Sequence, residues 1–248
     1  VDQALLKLIA YEGEKQNNLK VFLNFFSNQD SSQTKWGLDL HSIEFLQSRF
    51  SYFNQNNQVQ KTGIDFNDLN VSDIEGRVNN FSITGDSIKG KLMKFSFWEK
   101  SGLNFKHLTA DIYGSSSKLI LDSLNIETNS SKIQSYISFD YSSYNDFLFF
   151  PDSVKMHADI INSYFSLDDL AFFMPTIGGI NYGFRLSTVL DGNLANMKAK
   201  YFSVHFGNRG LIKGDFSLRG LPNLQETFMH LKLKELFLTQ SDLREIPI

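Results

Sequence analysis

"LNFKHLTADIYGSSSKLILDSLNI", Leu103–Ile126, writes one eight-residue phrase twice. The phrase is apolar, any, apolar, two spacers, apolar, any, apolar. The first copy sets Leu103, Phe105, Leu108 and Ala110; the second sets Leu119, Leu121, Leu124 and Ile126. The turn Gly114-Ser115-Ser116-Ser117 lies between them. On a helix, at about 100° per residue, the four apolar positions fall at roughly 0°, 200°, 140° and 340°, on two opposite faces. On a strand, the first two share a face, and the last two rejoin them only if one extra residue is absorbed between the pairs. The phrase therefore reads as a strand with a bulge or corner that bends while keeping its apolar side on one face. A sheet of such strands is curved, with Leu, Ile and Phe along one side.

The phrase recurs at Leu38, Leu40, Ile43, Phe45; at Ile64, Phe66, Leu69, Val71; at Phe165, Leu167, Leu170, Phe172; and at Leu231, Leu233, Leu236, Leu238. Its starts are unevenly spaced, unlike those of a regular solenoid. Around these copies the chain alternates, as in "KIQSYISFDY", where Ile133, Ser135, Ile137, Phe139 and Tyr141 point one way. Turn signals recur at Thr84–Ser87, Gly114–Ser117, Thr128–Ser131, Gly178-Gly179 and Gly207–Gly210. Many short strands between such turns indicate an all-β sandwich, barrel or solenoid. A brief helical interruption is expected at "LDDLAFF", Leu167–Phe173, ended by Pro175. Residues 1–30 are expected to be a helical lead-in, with Leu5, Leu6 and Ile9 on one face. Leu19, Phe22, Leu23 and Phe26 then follow helical spacing behind an Asn17 or Asn18 cap. No Pro/Gly-rich linker divides residues 31–248, which are expected to form one β-rich domain.

Charge is nearly balanced, with 24 Lys+Arg against 27 Asp+Glu. No basic excess is available for a nucleic-acid partner. The absence of cysteine excludes disulfides and thiolate zinc sites and fits an oxidising compartment. No apolar run approaches the roughly 20 residues of a membrane-spanning helix. The chain opens on Val1, as a mature product or an excised piece would. His41, His107, His157, His205 and His230 form no HxH or HxxxH pair. Asp168-Asp169, and Asp65 with Asp68, sit in polar spacers and are expected to be solvated acids. Neither GxSxG nor GxxxxGK[ST] occurs, and "TIGGINYG", Thr176–Gly183, opens no predicted helix. An enzyme is therefore not expected, and neither a metal nor a cofactor is. The apolar side of the phrase is either ordinary sandwich core or an open groove for acyl chains.

Longer stretches carry a resemblance. "QNNLKVFLNFF" (Gln16–Phe26), "IEFLQSRFSYFN" (Ile43–Asn54), "FSFWEKSGLNFKHL" (Phe95–Leu108) and "GDFSLRGLPNLQETFMHLKLKELFLTQSDL" (Gly214–Leu243) occur in that order. Together they resemble segments of the TamB-like, AsmA-like envelope-biogenesis proteins of Bacteroidota. The resemblance implies an elongated, curved antiparallel sheet forming a β-taco or β-helix-like groove with an apolar interior. It implies a periplasmic location, within a protein anchored in the inner membrane of a Gram-negative bacterium, of which this chain would be an internal segment. Its expected work is outer-membrane biogenesis without catalysis: phospholipid transport between membranes, or assembly of outer-membrane proteins. Phospholipids are the expected partners, with co-bound phospholipid or fatty acid the one expected companion molecule. An outer-membrane barrel protein would be met through regions absent here. Expected lipid-facing residues are Leu38, Leu40, Ile64, Phe66, Leu103, Phe105, Leu119, Leu121, Ile137, Phe139, Leu231 and Leu233. The alternative is a structural module that docks a strand of an outer-membrane or secretion-complex partner.

Overall fold

The structure, a computed structural model, describes residues 1–14, 16–18, 37–221 and 226–245. Strands come first because the sequence alternates and breaks at turn residues. β1 is Leu5–Ala10, β2 Gly37–Asn54, β3 Asp68–Thr84 and β4 Ser87–Glu99. β5 is Asn104–Gly114, β6 Lys118–Thr128, β7 Lys132–Asp140 and β8 Lys155–Ser166. β9 is Gly183–Asn193, β10 Asn196–Phe206, β11 Gly210–Arg219 and β12 Phe228–Phe237. All twelve lie in one sheet in chain order, so each strand pairs with its sequence neighbours. The sheet is curved and does not close into a barrel. No second sheet lies against it among the described residues.

Two expectations about the pairing change. Leu5–Ala10, expected to be helical, is a strand, and it runs parallel to β2 where all the other pairs are antiparallel. Six residues are too few to separate a helical from a strand period, and pairing with Arg49–Asn54 decides the outcome. The remainder of the expected lead-in, from Leu19 to Asp30, lies outside the described residues, as does Trp36.

The bulges obey a pattern. In β6 the register shifts between Leu121 and Leu124, with Ser123 at φ 51°. β10 shifts between Ala199 and Phe202. In β2 the step from Leu40 to Ile43 is matched by Phe81 to Val78 on β3, where Asn80 has φ 51°. Lys94 in β4 (φ 54°) and Asn162 in β8 (φ 41°) mark shifts one step further along, and β12 shifts there too, beside Gly214. Each bulge inserts one residue and bends its strand. Together they form a line that crosses the sheet from β2 to β12.

Because side chains alternate, an unabsorbed extra residue would throw the rest of a strand onto the other face. With the bulges in place, four rows of side chains stay on one face, here the inner face. One row runs Leu40, Phe81, Gly90, Ile112, Leu121, Ile137, Ala158, Leu190, Ala199, Phe216, Leu231 across β2 to β12. The outer face is richer in polar residues, though Trp98, Ile161 and Tyr201 also stand on it, and it carries cross-strand ion pairs, among them Arg77–Glu44, Lys91–Asp111, Lys118–Asp140 and Lys213–Glu235. These pairs are solvated and each is worth at most about 1 kcal/mol.

Hydrogen bonds tie neighbouring turns together at one end of the sheet. The Asp86 carboxylate accepts from the Ser116 amide and hydroxyl, which hold its pKa below the ordinary carboxylate value. Tyr141 donates its hydroxyl to the Ser115 carbonyl, and the Ala195 amide donates to Pro151. Here a 3₁₀ turn, Tyr144–Phe149, and a short helix α1, Phe150–Ser153, fold over the inner face, with Phe147 and Phe150 edge-on to Phe139. At the other end, helix α2 (Leu167–Leu170) opens the β8–β9 connection, as "LDDLAFF" predicts, with the Ser166 hydroxyl accepting from the Asp168 amide. This connection meets the β2–β3 loop: the Ile64 amide donates to the Phe172 carbonyl at 2.8 Å. Along the sheet β3 and β8 are five strand spacings apart, about 24 Å, so the two loops together cap that arc. Helix α3, Gln240–Glu245, follows β12.

Candidate functional site: the inner face of the sheet

The inner face is built by row. The row beside the first runs Ile43, Val78, Leu92, Ala110, Leu124, Ser135, Ile160, Thr188, Phe202, Gly214, Leu233. A third row begins Leu38, Ile83, Ile88, Gly114, Leu119, Phe139, Met156 and ends at Leu218 and Met229. The fourth contains Phe45, Phe95, Leu108, Ile126, Leu186, Val204, Ile212 and Leu236. Aromatic contacts join neighbouring strands within this face: Phe45 with Phe95, Phe97 stacked on Phe105, Phe165 stacked on Phe184, and Phe202 edge-on to Phe216. Small residues such as Ala110, Ala158 and Ala199 are the fully buried ones, each 3% exposed or less. Larger ones divide: Leu124, Phe202 and Met197 are buried at 4%, 5% and 7%, while towards the margins of the sheet Leu40 at 38%, Leu233 at 47% and Leu236 at 54% stay open. In a sandwich these long side chains would be buried against a second layer.

Nine of the twelve expected residues share this face: Leu38, Leu40, Phe105, Leu119, Leu121, Ile137, Phe139, Leu231 and Leu233. Three do not. Ile64 and Phe66 precede β3 in the β2–β3 loop. There Ile64 is 6% exposed and Phe66 is 61% exposed. Asp65 between them is buried and accepts from the Gln60 and Asn67 amides, which winds the segment into a loop. Leu103 sits ahead of β5 at 2% exposure, in the β4–β5 turn whose Gly102 lies against the Phe172 ring. It is core rather than inner face. The copy at Phe165–Phe172 is likewise no strand phrase, because α2 interrupts it.

Of the four acids expected to be solvated, Asp65 and Asp169 are buried, and these two, like buried Glu99 and Asp242, each hold a loop. Asp169 accepts from the Thr128 hydroxyl, joining the β8–β9 connection to the β6–β7 turn. Glu99 accepts from the Ser101 amide. Asp242, fully buried, accepts from the amides of Asn208, Arg209 and Thr239 and from the Thr239 hydroxyl. The Thr239 bonds, and then the Arg209 and Asn208 amides, hold its pKa well below the usual carboxylate range. Carboxylates that accept several amide bonds are structural anchors, poorly placed to trade protons near neutral pH. Asp68 instead pairs with Lys100.

Histidine chemistry is confined to the outer face, where His157 Nδ1 lies 2.7 Å from Asp191. At the other end of β8 and β9, an open cleft of about 410 Å³ is lined by Tyr164, Arg185, His205 and Arg209, with the Arg185 guanidinium over the Tyr164 ring. Among the described residues no group of three or more His, Asp or Glu is arranged to hold a metal ion. No described helix is long and apolar enough to cross a membrane.

The sequence could have pointed to this face through copies of the phrase at β2 and β6. It could not do so for β4, β8, β9 and β10, where Gly90, Ala158, Ser163, Thr188 and Ala199 occupy inner positions and erase the apolar signature. Compared with known proteins, the chain matches no protein-family model, no curated protein and no solved structure.

Proposed function

We propose that the inner face is the floor of a trough that binds lipid acyl chains, and that the chain works without catalysis in moving lipid across a bacterial envelope. The observation behind this reading is the set of four bulge-aligned rows, rich in Leu, Ile, Val, Phe and Met, with no second sheet over them among the described residues and only the Tyr144–Ser153 segment folded onto one end. Each methylene taken out of water there would contribute about 0.8 kcal/mol. Ten methylenes laid along a row would thus offset a large ordering cost. The row direction suits an extended chain, since a row crosses all the strands rather than following one. The resemblance to TamB-like, AsmA-like proteins supports a periplasmic setting, phospholipid as the cargo and a larger parent protein.

Gentle purification followed by native mass spectrometry should find phospholipid or fatty acid bound to the chain. A lipid-free protein that takes up no labelled fatty acid sinks the reading. Leu121→Asp places a carboxylate in the middle of a row. It should abolish lipid uptake while leaving the circular dichroism spectrum β-rich, because the Leu121 side chain is not fully buried. If the variant unfolds, Leu121→Ser is the comparison, and unimpaired uptake in the folded Ser variant counts against the trough.

A further inference from the structure

Every residue of β12, Phe228 to Phe237, is exposed. The strand ends the sheet, and no described residue pairs with its far side. Such an edge offers a ready-made ladder of amide and carbonyl groups. Its inner side chains are Met229 at 65% exposure, Leu231 at 43%, Leu233 at 47% and Leu236 at 54%, so the four rows stop at an open margin.

The outer side chains choose the occupant. Lys234 pairs with Asp215 and Glu235 with Lys213, both on β11. His230 and Lys232 have no carboxylate within ion-pair distance among the described residues. Two copies meeting antiparallel through β12, with Leu231 against Leu233, would set Lys232 against Lys232. Like charges directly opposite one another destabilise a strand pair. The same positive side favours a strand bearing acids at every second position.

We propose that β12 is a docking edge for an extended segment of another polypeptide in which apolar residues alternate with Asp or Glu. Main-chain hydrogen bonds continue the sheet, the apolar side chains extend the four rows, and the acids face His230 and Lys232. The site is independent of the acyl-chain reading, because pairing at the edge does not need a filled trough.

The test titrates the full chain, stripped of lipid by detergent exchange, with a fluorescein-labelled ten-residue peptide alternating Val with Glu. Comparison peptides carry Lys in place of Glu, or Val and Glu with N-methyl groups on alternate amides in either register. The Glu peptide should bind about tenfold more tightly than the Lys peptide. Lys232→Glu should reverse that order, and N-methylation in one register should abolish binding. Amide exchange should slow at β12 when the Glu peptide is bound. No binding, equal binding of the Glu and Lys peptides, or binding indifferent to N-methylation in both registers would overturn the proposal. So would concentration-dependent self-association that protects β12 and survives Lys232→Glu, since it makes a second copy the occupant.

Discussion

Ser123 shows how much one residue decides. It is exposed, touches neither core nor partner strand in an obvious way, and sits at φ 51° between Leu121 and Leu124. For a residue with a Cβ that conformation costs roughly 1–2 kcal/mol. A β-branched side chain fits it worst. Ser123→Val should therefore lower stability to chemical denaturation by about 1–2 kcal/mol, while Ser123→Gly should change it by less than about 0.5 kcal/mol, relief of strain offsetting the extra freedom of the unfolded glycine. A Val variant as stable as the parent would mean that the bulge tolerates other backbone solutions. Asp242 works at the same scale by electrostatics. Its carboxylate has a folded-state pKa below the unfolded value, so its anchoring of the Asn208 and Arg209 amides is in place above about pH 4 and fades as the pH falls further.

At the scale of elements, the end loops are as specified as the strands. Gly63 has φ 75°, and a Cβ there would come 2.5 Å from the Phe172 carbonyl oxygen and 2.9 Å from the Pro175 ring. Gly63→Ala should push the β2–β3 loop off the β8–β9 connection. Amide exchange at Ile64 should then quicken by at least tenfold while that in β6 and β7 is unchanged, as read by mass spectrometry of exchanged peptides. Unchanged exchange at Ile64 would mean that the contact does not hold the loop. Strands of this kind were legible wherever the inner positions were large. The pattern at Leu38–Phe45 and Leu119–Ile126 translates directly into a bulge, and the turns at Gly85-Asp86 and Gly114–Ser117 fall between strands as their residues demand. Misreadings arose where apolar spacing is ambiguous. Ile64, Phe66 and Leu103 fit the phrase, but buried Asp65 and the turn before β5 draw Ile64 and Leu103 into the end of the sheet as caps and leave Phe66 exposed on the loop. Sequence spacing cannot tell a residue that lines a face from one that seals its end.

For the whole molecule, the chain-order sheet makes stability a sum of neighbouring contacts rather than the property of one shared core. Strands with two partners and capped ends should outlast the margin. Hydrogen exchange should be slowest in β5 to β8 and fastest in β12, with a graded rather than a single opening step. Uniform protection across all twelve strands, lost in one step, would contradict this. The same additivity explains how a face can lack a second sheet among the described residues: folding needs each hairpin to bury enough on its neighbours.

The alternation of the bulges carries one further consequence. Among the even-numbered strands, β2, β6 and β10 break between the same two rows, and β4, β8 and β12 break one row further on; β3 breaks too, at Asn80, in line with β2. The pattern returns every fourth strand, although the loops between strands differ too much in length for any fixed period to survive in the sequence. Two hairpins are thus the smallest piece whose removal or duplication leaves the stagger in phase. A single hairpin added or lost would give two successive even-numbered strands the same break and put the stagger out of phase.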